Sequence, residues 1–172
     1  MTVEELIRRY RVGERNFAGV DLSGARLCGS DLNGINLIGA NLSRVTLQDT
    51  FLADANLDGA NLEGANLEGA TLRGANLDGA ILVETNLEGA NLDGATLRGA
   101  ELTMARFSYA SLRGANLDGA RLGEGDFSYA NLRDASIEGV EADVLLFCSY
   151  NTTMPDGQII SSPWASENPF TN

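Results

Sequence analysis

Large apolar residues recur at every fifth position along most of this chain. They begin at Phe17 and end at Ile137, which makes 25 consecutive positions, and nearly all of them are leucine. The two exceptions within the series are Phe107 and Phe127. A helix repeats its apolar positions every 3.6 residues and a strand repeats them every second residue. A period of five therefore indicates a coil whose straight sides are each one repeat long.

The other positions of the repeat explain how one side is built, as in ANLEG at 65–69. Alanine usually stands two residues before the leucine, a polar residue directly before it, and glycine two residues after it. Residues two apart on an extended segment point the same way, so the alanine and the leucine are predicted to fill the interior. The polar residue between them is predicted to face solvent. Glycine suits the corner, where a type II turn needs a positive φ.

The repeat resembles the consensus of the pentapeptide repeat family, A(D/N)LxX, over residues 16–140. The resemblance implies an all-β fold, a right-handed quadrilateral β-helix (β-solenoid) with four repeats and twenty residues in each coil. RFSYASL at 106–112 recurs after twenty residues as DFSYANL, whereas ATLRGA at 70–75 recurs after 25 residues. The first recurrence predicts that Phe107 lies against Phe127 and that Tyr109 lies against Tyr129.

The two ends depart from the repeat and suggest a division into three parts. Residues 1–15 are predicted to form a short N-terminal capping helix and a linker, because a capping-box pattern precedes an apolar face. Residues 16–140 form the solenoid of about six coils. Residues 141–172 are predicted to be a C-terminal cap and tail, with a turn at 155–157 that leads into a short edge strand.

Trp164 and Phe170 in the tail, and the two cysteines, have predicted positions of their own. Trp164 in the tail either packs on the last coil, together with the nearby phenylalanine, or meets a second subunit; packing is favoured. Cys28 and Cys148 are predicted to point outward on the same side. They lie six coils apart, about 29 Å at the layer spacing of a sheet, so they cannot form a disulfide with each other.

Composition narrows the classes of function. The chain has no histidine and no lysine, and 24 acidic against 12 basic residues give a net charge of −12. Binding of nucleic acid needs a basic surface and is not expected. No apolar stretch approaches the ~20 residues of a membrane span, and the N-terminus lacks a signal-peptide pattern, so no membrane contact and a cytoplasmic location are expected.

Catalytic chemistry is not expected either. The commonest general bases and the Schiff-base amines are missing, and no serine or cysteine has a partner base at a recognisable spacing. The glycines form no phosphate-binding loop, and the carboxylates are spread singly around the coils. The sequence therefore predicts no enzyme activity, no metal site and no cofactor.

Apolar residues interrupt the outward polar pattern at a few places. Ile81 and Val83 both point outward on one side, and Met104 lies one coil further along it, while Tyr109 and Tyr129 occupy corners. Clusters of exposed apolar residues can mark interfaces. These five residues are the predicted protein-contact residues, the alternative being local packing at corners that lack glycine. They favour a non-catalytic scaffold that binds another protein and is itself a monomer or a weak dimer, and the family resemblance implies that its role is regulatory.

Two other functions remain open. Some members of the family resemble B-DNA and bind type II topoisomerases. Residues 16–140 carry 17 acidic residues and 8 arginines, a net charge of −9. B-DNA of the same length, about 30 Å, would carry roughly 18 charges, so such mimicry would be partial. The second alternative is a structural protein without a specific partner.

Overall fold

The computed structural model of the chain describes residues 1–142 and 151–160. It is a β-solenoid in which extended residues pair in parallel with residues twenty positions later, from Asn16 with Asn36 to Asn116 with Ser136. Because the repeat is five residues long, each coil holds four repeats. We call one repeat a side. Residues twenty apart lie in adjacent coils, and we call a series of them a column.

Backbone hydrogen bonds join the sides of neighbouring coils. In the side that contains Leu67, the Leu67 N–H donates to the carbonyl oxygen of Asn86 at 2.7 Å, and the Asn66 N–H donates to that of Val45 at 2.9 Å. The interior between the sides is filled by the leucines and alanines of the repeat, which are almost completely buried. The prediction of an inward leucine–alanine pair is therefore confirmed.

Two kinds of residue other than leucine and alanine, phenylalanine and threonine, fit this interior in a regular way. The rings of Phe107 and Phe127 stack with centroids 4.6 Å apart, as the recurrence after twenty residues predicts. Thr50 and Thr85 replace the inward alanine and are fully buried. Their hydroxyls donate to the carbonyl oxygen of a central leucine in the preceding coil, and the Thr85 bond, to Leu62, measures 2.8 Å. A buried hydroxyl is thus kept hydrogen-bonded.

The corners take the left-handed conformation that the glycines predict. Gly69 and Gly89 both have φ of +66°. Eight residues other than glycine hold the same corner position with φ between +55° and +62°: Arg44, Asp49, Asp54, Glu84, Met104, Tyr109, Tyr129 and Asp134. Such a conformation costs a residue with a side chain roughly 1–2 kcal/mol, so the coil imposes its corner geometry even where glycine is missing.

The N-terminal helix α1 spans Val3–Arg11. The Thr2 side chain accepts a hydrogen bond from the Glu5 N–H at 3.2 Å, which satisfies one of the free donors at the helix start. Leu6 is completely buried in the same core cluster as the leucines of the solenoid. The Tyr10 hydroxyl donates to the carbonyl oxygen of Asn33 at 2.8 Å, so the helix contacts the first coils through apolar and polar groups.

Near the C-terminus, strand β1 (Arg121–Gly123) pairs in parallel with β2 (Glu141–Ala142). Strand β3 (Thr152–Thr153) pairs antiparallel with β4 (Ile159–Ile160). The turn between β3 and β4 lies where the sequence predicts it: the Gly157 N–H donates to the Met154 carbonyl oxygen at 2.8 Å, and Gly157 has φ of +83°.

Strand β3 also continues the solenoid, which sequence reasoning missed. Thr153 pairs in parallel with Asn131, 22 residues earlier instead of twenty. Met154 is 5% exposed and holds the central position, and the Thr152 hydroxyl donates to the Phe127 carbonyl oxygen at 2.7 Å. Residues 152–156 therefore form one more side. The expectations for Cys148, Trp164 and Phe170 lie outside the described residues.

Candidate protein-contact surface

The first predicted contact cluster, Ile81, Val83 and Met104, lies at the surface, and we call it the apolar patch. Ile81 is 41% exposed and Met104 is 48% exposed, while Val83 is half-buried. Ile81 pairs with Asn61 in the coil before it and with Glu101 in the coil after it. The patch therefore spans two adjacent coils on one face of the solenoid and includes the corner at which that face ends.

The polar residue that Ile81 replaces normally serves the backbone. Elsewhere the asparagine before the leucine accepts a hydrogen bond from the N–H two residues later, as Asn66 does from Glu68 at 3.0 Å and Asn86 from Glu88 at 3.1 Å. This is the Asx-turn geometry that asparagine favours. With Ile81 in that position, the Val83 N–H has no acceptor within the described part of the chain.

Some of the other sides without the asparagine recover this hydrogen bond from the preceding coil. The Asp78 carboxylate accepts from the Arg98 N–H at 2.9 Å, and Asp118 accepts from the Glu138 N–H at 2.9 Å. The Asn33 side chain does the same for Ala53 at 2.7 Å, behind the exposed Phe51. The apolar patch has no such replacement among the described residues, a lack that it shares with the sides of Gln48 and Arg73. It therefore departs from the repeat mainly in its side chains.

Carboxylates border the apolar patch. Glu63 lies in the coil before Val83 and is exposed, and Glu84 stands at the corner directly after Val83. Glu101 follows Ile81 in its column, accepts from the Thr103 hydroxyl, and lies 3.7 Å from the guanidinium of Arg121. The patch thus has an apolar centre and a mainly acidic border.

The second predicted cluster is Tyr109 with Tyr129, which we call the tyrosine pair. The two rings are nearly parallel, with an angle of 5° between their planes and 4.8 Å between their centroids. This confirms the predicted stacking. Tyr109 is 62% exposed and Tyr129 is 45% exposed. Met104 and Tyr109 stand at the two corners of one side, so the apolar patch and the tyrosine pair lie at its opposite ends.

Ion pairs lie on the two sides that flank the side of the apolar patch. Arg98 contacts Asp78 at 2.9 Å, and Arg106 contacts Glu88 at 2.8 Å. Partial burial raises the pKa of Asp78. The hydrogen bonds from the Arg98 N–H, the Arg98 guanidinium and Thr96 together lower it by more, so the pKa of Asp78 is below its ordinary value. The Ser136 hydroxyl is the main cause of the lowered pKa of Asp118.

Two further searches concern only residues 1–142 and 151–160. No three cysteine, aspartate or glutamate side chains there lie close enough together to hold a metal ion. No helix in this part of the chain is long and apolar enough to cross a membrane.

Comparison with known proteins identifies the repeat. The family model described as pentapeptide repeats matches at residues 16–52, 35–74, 72–108 and 100–140. A pentapeptide repeat protein from the cyanobacterium Cyanothece 51142 is 25% identical, with a TM-score of 0.63, over 83% of this chain and 96% of that one. No curated protein matches the chain.

A second solved structure is similar mainly in sequence. HetL from the cyanobacterium Nostoc sp. strain PCC 7120, a pentapeptide repeat protein involved in heterocyst differentiation regulation, is 30% identical. The match covers 92% of this chain and 99% of HetL, with a TM-score of 0.32.

Proposed function

Because this chain belongs to the pentapeptide repeat family, we propose that it is a non-catalytic scaffold that binds another protein in a regulatory role in the cytoplasm. The proposed solenoid is right-handed and four-sided. Residues 1–15 cap its first coil, residues 16–140 carry the binding surface, and residues 141–172 close its other end. The contact residues are the apolar patch and the tyrosine pair.

The observation that carries this proposal is the replacement of the repeat's asparagine by Ile81. An exposed isoleucine gains little from folding, because its side chain remains 41% accessible to water. The asparagine of the repeat would accept the hydrogen bond of the Val83 N–H, which has no acceptor in the described residues. The chain therefore forgoes local stability at this place, and a partner that covers the patch would recover it.

The test uses the substitution Ile81→Asn, which restores the repeat. A photo-crosslinking amino acid at Glu63, beside the patch, is expected to capture one protein from a lysate of the source organism. A crosslinker at Asp58, on another side, is expected not to capture it. Ile81→Asn should abolish the capture while leaving the protein at least as stable to denaturant.

The matched control is Phe51→Asn, which removes an exposed apolar side chain from the same repeat position on a different side. It should leave the crosslink at Glu63 intact. A crosslink that survives Ile81→Asn, or the absence of any crosslinked protein, would contradict the proposed surface.

The alternative of an acidic B-DNA mimic has weaker support. Its phosphate-like charges would need to be continuous, yet Arg98 and Arg106 pair with carboxylates within the surface columns. A gyrase supercoiling assay separates the two ideas. We expect no inhibition and no protection at micromolar protein.

A further inference from the structure

The column that contains the tyrosine pair has an open layer. In chain order its members are Gly29, Asp49, Gly69, Gly89, Tyr109 and Tyr129. Tyr129 covers one face of the Tyr109 ring at 4.8 Å between centroids. The other face of Tyr109 looks toward the coil of Gly89, which has no side chain to cover it. This agrees with the greater exposure of Tyr109, 62% against 45% for Tyr129.

The space beside Gly89 contains no side chain. A Cβ built on Gly89 would have no other heavy atom within 4 Å, whereas a Cβ on Gly69 would lie 2.5 Å from the Asp49 Oδ1. The Asp49 carboxylate therefore leans over Gly69. The open layer, which we call the Gly89 layer, thus has an aromatic face on one side and the carboxylate of Asp49 on the other.

The charges around the Gly89 layer are mainly negative. Glu88 directly precedes Gly89 and pairs with Arg106 at 2.8 Å. Glu68 directly precedes Gly69 and accepts a hydrogen bond from the Gln48 amide at 3.0 Å, which leaves its charge uncompensated. With Asp49, the surroundings of the Gly89 layer therefore hold three carboxylates and one guanidinium, that of Arg106. The arginines of the next side, Arg73 and Arg113, stand at its far end.

We propose that the Gly89 layer binds an arginine side chain of the partner protein. Aromatic faces attract cations whose centre lies within about 6 Å of the ring centroid, and one layer of a solenoid is about 4.8 Å thick. A guanidinium is flat, stacks on aromatic rings and pairs with carboxylates through two hydrogen bonds, whereas an ammonium is compact and strongly hydrated. The layer therefore favours arginine over lysine, with Tyr109 on one face of the guanidinium, the charge of Asp49 beyond the other face, and the N–H edge free to donate to a neighbouring carboxylate.

This inference rests on the proposed function and adds the chemistry of the partner. Its test needs no knowledge of the partner. The probes are three peptides of five residues, otherwise glycine and alanine, with a central arginine, lysine or citrulline. Ring resonances of the tyrosines are followed by NMR in the isotope-labelled full chain. The arginine peptide should shift the Tyr109 signals saturably, at least threefold more tightly than the lysine peptide, and citrulline should have no effect.

A variant that closes the layer provides the specificity control. Gly89→Tyr would extend the tyrosine pair by one ring, in the left-handed corner conformation that Tyr109 already adopts, and should abolish the shift. Gly94→Tyr places the same residue at the next corner, where an added Cβ also meets no atom, and should leave binding unchanged. Equal binding of arginine and lysine, no shift at millimolar peptide, or full binding to Gly89→Tyr would overturn the proposal.

The two proposals fail separately. Ile81→Asn should not alter the peptide titration, because the apolar patch lies at the other end of the side. If the crosslink at Glu63 forms but no arginine peptide binds, the scaffold function stands and the arginine site falls. If the arginine peptide binds but nothing crosslinks at Glu63, the arginine site stands and the apolar patch falls.

Discussion

A side chain at Gly125 would crowd both the Phe127 ring and the Leu122 carbonyl oxygen. A Cβ added to Gly125 would lie 3.2 Å from Phe127 Cε2 and 3.0 Å from the Leu122 carbonyl oxygen. Most sides of the solenoid hold an inward alanine at this position and a leucine at the centre. Gly125 therefore lies close to both the ring and the backbone, whereas Ala105 holds the same position before Phe107.

This pairing predicts non-additive effects. Gly125→Ala should lower the free energy of unfolding by about 1–2 kcal/mol, because overpacking a filled interior forces neighbours to move. In the Phe127→Leu background, the same substitution should cost at least about 0.5 kcal/mol less. Denaturant unfolding of the four proteins measures this coupling. Strictly additive losses would show that the ring does not limit residue 125.

The buried hydroxyl of Thr85 should also be measurable. Thr85→Val keeps the shape but removes the hydrogen bond to the Leu62 carbonyl oxygen, so we expect a loss of about 1 kcal/mol in unfolding free energy. Thr71→Val changes a half-buried position on the outward pattern and should alter stability by less than about 0.5 kcal/mol. Equal effects of the two substitutions in urea unfolding would argue against a contribution from the hydroxyl.

The corner at Glu84 carries backbone strain that glycine would relieve. Glu84 has φ of +57°, and the left-handed conformation costs such a residue roughly 1–2 kcal/mol. Glu84→Gly should therefore stabilise the protein by about 0.5–1 kcal/mol, since glycine also makes the unfolded chain more flexible. Glu63→Gly, outside the left-handed corners, should destabilise it. A loss of thermal stability in Glu84→Gly would contradict this reasoning.

Acid should weaken the contact between Asp118 and the next coil. The Ser136 hydroxyl, and to a smaller extent the Glu138 N–H, hold the pKa of Asp118 below its ordinary value despite some desolvation. A pKa lowered in the folded state stabilises the protein above the unfolded value, about 4 for aspartate, and this stabilisation is lost as pH falls through the folded pKa.

Asp118→Asn therefore should be less stable than the parent at pH 7, and the difference should shrink as the pH falls from 4 to 2.5. Urea unfolding at pH 7, 4 and 2.5 measures it. Asp58→Asn is the control in the same column, because the Asp58 carboxylate accepts no hydrogen bond among the described residues. A constant difference at all three pH values would exclude the titration of Asp118 as its cause.

The interior was predictable because its rule is local. A leucine and an alanine two residues apart must share one face of an extended segment, and the phenylalanines and tyrosines at a spacing of twenty predicted their own stacking. The hydrogen bond that the asparagine accepts from the N–H two residues later was missed, although a signal exists. The repeat uses asparagine and hardly ever glutamine, and only the shorter amide reaches the N–H two residues later.

The last side escaped prediction for a different reason. Its spacing from Asn131 is 22 residues, and a strict count of twenty places the wrong residues in the interior. The buried Thr152 has the same role as Thr50 and Thr85, and only the hydrogen bond to the preceding coil reveals it. The open face of Tyr109 likewise depends on the absence of a side chain at Gly89, which becomes visible only when the coils are stacked.

The spacing of twenty between paired residues restricts how such a gene can lengthen. Duplicating five residues would keep every leucine inward, yet it would rotate all later residues by one quarter of a turn relative to the earlier coils. A duplication between Ile81 and Met104 would therefore separate these two residues. Duplicating twenty residues would preserve both. ATLRGA occurs twice at a spacing of 25, so its copies lie on neighbouring sides. Lengthening the rod by any number of repeats therefore costs it little stability, while the arrangement of residues on its surface is preserved only when whole coils of twenty residues are added.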